Sequence, residues 1–156
     1  KMEIKSLNTE WETTQKEVID DCVRLWQKKA RALRKLGRPK EALKCLNNAL
    51  SYNPDDTMLT IEKADIFYET GKYMQAAALY SNLLQSEPDD VILLNKMGNA
   101  LFRMGLQEES LLCFDKALTL NADHRESLVN KGYLLMKQER YDEAVECADK
   151  IAVICA

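Results

Sequence analysis

Small and apolar residues return along this chain three or four positions apart, the spacing of one helix face, in stretches of about a dozen residues. Ala42, Leu46 and Ala49 form one stripe, and Ala76, Tyr80 and Leu83 form the next. Ser110, Phe114 and Ala117 repeat it, and Ala144, Ala148 and Ile151 follow. Each stripe lies 34 residues after the last, and a column of Ala30, Ala64, Gly98 and Gly132 precedes them at a constant offset. Pro54, Pro88, Ala122 and Ala156 close the units, with no insertion anywhere. The pattern predicts two helices per unit, A then B, repeated four times.

The stretches between the stripes carry turn chemistry. Within the units stand LGRP, TGKY, MGLQ and QERY, which put Gly37, Gly71 and Gly105 where a helix ends and the chain reverses. Glu139 takes the glycine's place in the fourth, so its turn is expected to avoid the left-handed conformation that glycine adopts cheaply. Between units, NPDD and EPDD stop the outgoing helix with proline and offer Asp56 and Asp90 as caps for the next, a role that NADH of residues 121–124 also fits. The small columns mark where helix A crosses helix B, and a larger side chain there costs about 1–3 kcal/mol through overpacking.

Period and columns together resemble the tetratricopeptide repeat: a large residue, a small one, an aromatic, an alanine, another aromatic and a terminal proline. Trp26, Ala30, Leu33, Ala42, Leu46, Ala49 and Pro54 carry the match in the first unit; Ala64, Phe67, Ala76, Tyr80 and Pro88 carry it in the second. Leu94, Met97, Gly98, Leu101, Ser110, Phe114 and Ala117 follow, then Leu128, Gly132, Leu135 and Ala144. The departures are Thr60 for a large residue, Lys29, Lys63 and Lys131 at an apolar site, Ala148 for the aromatic and Ala122 for the proline. The resemblance implies an all-α fold, a right-handed superhelical solenoid of antiparallel helical hairpins. Its units are 23–56, 57–90, 91–124 and 125–156, after an N-terminal extension of residues 1–22.

That extension is expected to be helical from about residue 10. Thr9 and Glu12 would form a capping box, and Trp11, Val18 and Cys22 an apolar trace that either runs into the first unit or breaks near Asp20 and Asp21. At the other end the final helix carries Ile151, Val153 and Ile154, an apolar surface expected to be covered by a further helix or by a second copy in a homodimer.

Composition adds exclusions. Hydrophobic residues at 46 % with only 5 Gly and 3 Pro argue against disorder and against a turn-rich β fold. A net charge of -3 is too mild to call for a nucleic acid or a membrane. Tyrosines with basic residues could stack nucleic-acid bases, but the basic residues are balanced by acids and several of the aromatics stand at framework positions, so no nucleic acid is expected. Five cysteines without a C-x-x-C pair, and no apolar leader, predict free thiols in a reducing, cytoplasmic setting.

The stretch from Ser110 to His124 places Cys113 and Asp115 within reach of the chain's one histidine in sequence, the ingredients of a thiol site. In register those residues are ordinary. Cys113 has counterparts at Cys45 and Cys147, and His124 falls at the unit boundary, where a solvent-facing position is expected. No metal spacing, phosphate loop or hydrolase elbow is present, so no enzyme, cofactor or metal is expected.

Function is then expected to reside in a concave groove lined by the A helices, which the resemblance implies binds a peptide or another protein. Its candidate residues are Arg24, Gln27 and Arg31; Ile61, Glu62 and Asp65; Asn95, Lys96, Asn99, Phe102 and Arg103; and Asn130, Tyr133 and Lys137. Asn95, Asn99 and Asn130 are suited to bonding a ligand backbone, since each amide both donates and accepts. The carboxylate clamp of chaperone adaptors in this family is not expected. Gln27, Arg31, Glu62, Ile92 and Lys96 occupy its positions in one frame, and Ile61, Asp65, Lys96, Glu126 and Asn130 in the other. The second reading is a structural or self-association module within a larger protein.

Overall fold

Every regular element among the described residues is an α-helix, and the turns explain why the helices pair. A computed structural model describes the backbone of residues 2–156 and the side chains of residues 12–156. The helices are α1 (Met2–Lys35), α2 (Pro39–Tyr52), α3 (Thr57–Glu69), α4 (Tyr73–Ser86), α5 (Val91–Arg103), α6 (Gln107–Leu120), α7 (Arg125–Lys137) and α8 (Tyr141–Cys155).

Four short turns share one hydrogen-bond pattern. The amides of Arg38, Lys72, Leu106 and Arg140 donate back to the carbonyls of Leu33, Phe67, Leu101 and Leu135 at 2.8–3.0 Å. This bond closes a helix when the residue before the donor is left-handed. Gly37, Gly71 and Gly105 have φ of 69°, 77° and 83° as expected. Glu139 does too, at φ 60°, contrary to the expectation that its turn avoids that region. The demand for the shared turn overrides the residue's own preference, and the bond from Arg140 to Leu135 holds it there.

At the other junctions the A helices start on side-chain caps. Asp56 and Asp90 accept from the amides of Leu59 and Leu93 at 3.0 and 2.9 Å. His124 does the same for Ser127, accepting at Nδ1 over 3.3 Å. It is therefore a half-buried cap and not the solvent-facing residue expected.

The chain divides into two compact units inside α3, residues 1–66 and 67–156. In the first, α1 packs on α2, and Ala30, Leu33, Ala42, Leu46 and Ala49 form a core with Leu59 and Ile66 of α3. α1 begins at Met2, not near residue 10, and passes Asp20 and Asp21 unbroken. Thr9 thus falls inside a helix, and its side chain, like that of Trp11, lies outside the described residues. Val18 of the predicted trace is exposed.

In the second unit α4 packs on α5, α5 on α6, α7 on both of these, and α8 on α7. Its helix crossings are set by small residues. The Ser110 hydroxyl, fully buried, donates to the Gly98 carbonyl at 2.8 Å. A Cβ on Gly98 would stand 2.6 Å from the Phe114 ring, so that position tolerates glycine alone without a shift of the ring. Leu111, Phe114, Leu134 and Leu135 then form a core with Phe102 at its edge.

The left-handed turn yields the first prediction. Glu139→Gly is expected to raise stability by about 0.5–1 kcal/mol, since an L side chain costs roughly 1–2 kcal/mol there and glycine's extra unfolded-state freedom offsets part of the gain. Gly105→Ala, where a Cβ meets nothing within 4 Å and only backbone conformation is at stake, is expected to lower stability by about 1 kcal/mol. Denaturant unfolding of both variants checks the pair; a Glu139→Gly protein no more stable than the parent contradicts the account.

Candidate functional site

In the first unit the predicted groove residues of α1 and α3 are largely engaged with one another. Glu62, 8 % exposed, receives Gln27 Nε2 at 2.7 Å and Arg31 Nε at 2.8 Å on one carboxylate oxygen, with Arg31 Nη2 on the same atom. The hydrogen bond and charge of Glu62 push the Arg31 pKa up, holding the guanidinium more firmly in its charged form. A carboxylate so placed needs such partners, because leaving it buried and unpaired is costly. Arg24 is exposed and pairs instead with Asp21 at 2.8 Å. Ile61 and Asp65 are half-buried.

The second unit holds the more open arrangement. Asn95 on α5 is only 3 % exposed. Its Oδ1 accepts from Asn130 Nδ2 at 2.9 Å and from Ser127 Oγ at 3.3 Å, and its Nδ2 donates to Glu126 at 3.4 Å. Asn95 is therefore a buried hub tying α5 to α7, whereas the sequence suggested an amide open to a ligand. Asn99 and Asn130, both half-buried, line an open cavity of about 390 Å³ with Arg125, Glu126 and Val129. Lys96 is half-buried on the same helix.

Further along α5 and α7 the surface turns aromatic. Phe102 meets Tyr133 edge to face with ring centres 5.6 Å apart, and Lys137 Nζ lies 5.6 Å from the Tyr133 ring. Arg103 stacks over Tyr73 at 4.9 Å and donates to its hydroxyl at 2.5 Å. Tyr68 contacts Tyr73 edge-on at 5.3 Å, and burial pushes the Tyr68 phenol pKa up.

The three α8 residues expected to form a self-association surface line two different clefts. Ile151 lines an apolar cleft between α7 and α8. Val153 and Ile154 line a different cavity of about 610 Å³ together with Lys131, Asp149 and Lys150.

Thiol chemistry finds no support in the geometry. His124 Nδ1 is committed to Ser127, whose amide donates to it and whose hydroxyl lies 2.8 Å away. Burial pushes the Cys113 thiol pKa up, which lowers its thiolate fraction, and the thiolate is the nucleophile. Among the described residues no His, Cys, Asp and Glu side chains group as a metal set, and no helix is long and apolar enough to cross a membrane.

Sequence reading missed Ser127, fully buried between His124 and Asn95. Its signal was present, three residues after the cap, where the amide that a capping side chain accepts from falls. It also did not assign Tyr73 to the site, because the first residue of a B helix stands outside the A-helix face.

The profile of the tetratricopeptide repeat matches residues 28–91, 61–118 and 95–156. No curated protein sequence matches the chain. Among solved structures, a tetratricopeptide repeat protein from Parabacteroides merdae ATCC 43184 superposes with a TM-score of 0.77 at 21 % identity, over 86 % of this chain and 54 % of that one. MamA from Desulfovibrio magneticus RS-1, from its residue 41 to the end, gives 0.76 at 17 % identity, over 85 % and 75 %. At these identities the likeness is one of fold.

Burial orders the reactivity of the cysteines. Cys155 is exposed, Cys22 and Cys113 half-buried, and Cys45 and Cys147 buried. Timed alkylation of the native protein with iodoacetamide, read by peptide mass spectrometry, is expected to modify Cys155 first, Cys113 slowly, and Cys45 and Cys147 only after unfolding. Preferential modification of Cys113 at neutral pH would contradict its raised pKa and reopen the thiol-site reading.

Proposed function

Because this chain belongs to the tetratricopeptide repeat family, a fold that in general serves as a protein-interaction scaffold, we propose that it binds an extended peptide segment of another protein along α5 and α7. The observation that carries this reading is the cavity of about 390 Å³ lined by Asn99, Asn130, Arg125 and Glu126, with Asn95 beneath. Side-chain amides suit a peptide backbone because each offers a donor and an acceptor at once. Asn95, already bonded on both sides of its amide, is a positioning residue that fixes Asn130, and the contacts belong to Asn99 and Asn130.

Charge narrows the ligand. Arg125 and Glu126 stand at one end of the cavity, and Lys137 and Arg103 at the other end of the helix pair, near Phe102 and Tyr133. The segment that complements this has mixed charge and an apolar part. In the first unit Glu62 is already satisfied by Arg31 and Gln27, so a ligand gains from those groups only by displacing existing bonds. A clamp for a terminal carboxylate is not part of the proposal, since Asp65 and Glu126 occupy two of its positions and would repel the anion.

Cross-linking and mass spectrometry from the source cell identify the bound segment, and calorimetry with the synthetic peptide measures it. Asn99→Ala and Asn130→Ala are each expected to weaken binding about 2- to 10-fold, the worth of one net hydrogen bond of roughly 0.5–1.5 kcal/mol. Affinity unchanged in the double variant overturns this siting of the peptide.

A further inference from the structure

The last helical pair lacks the wedge that the pair before it uses. In the α5 and α6 pair Phe114 lies so close to Gly98 that a Cβ there would meet the ring at 2.6 Å. One repeat later these positions are Ala148 and Gly132. A Cβ on Gly132 would meet nothing nearer than the Cys147 Cβ at 3.4 Å. The helix keeps a residue that weakens it, yet among the described residues no side chain fills the space this leaves.

That space is an apolar cleft of about 330 Å³ between α7 and α8, with Gly132, Ala148 and Ile151 among its walls. At its rim Val129, Tyr133, Met136 and Val145 are each at least half exposed. Val129 also lines the amide cavity, so the apolar cleft and that cavity adjoin.

We propose that this cleft is the anchor subsite of the peptide site, taking an aromatic side chain, phenylalanine first, from the bound segment. The inference rests on the reading of Asn99 and Asn130 as backbone contacts. The preceding pair supplies the template, a phenyl ring against a glycine. The rim supplies the chemistry, since the Tyr133 ring offers an aromatic edge or face and the Met136 thioether a sulfur contact, both of which favour an aromatic over an aliphatic guest. The occupant is an extended peptide, because the adjoining amides continue the binding surface from the cleft.

The test is a titration of the ¹⁵N-labelled full chain, followed by NMR, with acetyl-Gly-Gly-Phe-Gly-Gly-amide and its Leu and Ala counterparts. The Phe peptide is expected to move the amides of Gly132 and Ala148 and to bind about tenfold more tightly than the Ala peptide. In Ala148→Phe, where the added ring fills the cleft, that preference disappears while the side-chain amides of Asn99 and Asn130 still respond. Val145→Asp, at an exposed rim position, is expected to weaken the Phe peptide alone and serves if Ala148→Phe fails to fold. Equal affinity for the three peptides, or an unmoved Gly132, overturns the anchor. Shifts at Gly132 with none at Asn99 and Asn130 for any peptide overturn the amide reading and leave the cleft standing. Self-association relieved by Ala148→Phe, without any peptide preference, overturns the proposal in favour of a second copy.

Discussion

Phe114 lies across α5 because position 98 carries no side chain. That single accommodation brings α5 and α6 close enough for the buried Ser110 hydroxyl to reach the Gly98 carbonyl. The ring shares one buried core with Leu134 and Leu135, which seats α7. With α7 seated, Asn130 and Ser127 arrive at Asn95. The candidate peptide surface is thus the downstream consequence of a small-residue crossing, and the polar cluster could not assemble if the helices stood further apart.

Magnitudes say which contribution leads. A single net hydrogen bond is worth about 0.5–1.5 kcal/mol, whereas overpacking a helix crossing costs about 1–3 kcal/mol and losing a buried aromatic about 3–5 kcal/mol. Packing therefore fixes where the helices lie, and the Asn95 network selects among nearby arrangements by penalising any that leaves its amide unpaired. In the first unit Glu62 has a similar selective role. Arg31 is more than half exposed, so the pair adds little net stability, but the carboxylate beneath it requires the partner.

The repeat period, the helix pairs, the left-handed glycines and the aspartate caps were all legible in the sequence, because each follows from residue types at fixed spacing. Glu139 was misread for an instructive reason. Residue identity gives the cost of a left-handed backbone, but the hydrogen bond from Arg140 to Leu135 decides whether the cost is met. His124 was placed correctly at the boundary, yet its cap required the geometry of one ring nitrogen. For the site, spacing assigned Asn95 to the right face but could not tell an amide open to a ligand from one already bonded on both sides. Ala148 was visible as a departure from the repeat; that it leaves a cleft beside Gly132 depends on how α7 and α8 approach, which no column of letters contains.

The central claim, that the bare position 98 and the ring at 114 act as one unit, is tested most directly by a double-mutant cycle of Gly98→Ala and Phe114→Leu on unfolding free energy. The account predicts that each change alone destabilises the protein and that the double variant recovers part of the Gly98→Ala loss, a coupling of about 1 kcal/mol or more, within the range for residues in contact. Additive losses, within the roughly 0.3–0.5 kcal/mol seen for independent sites, would contradict it.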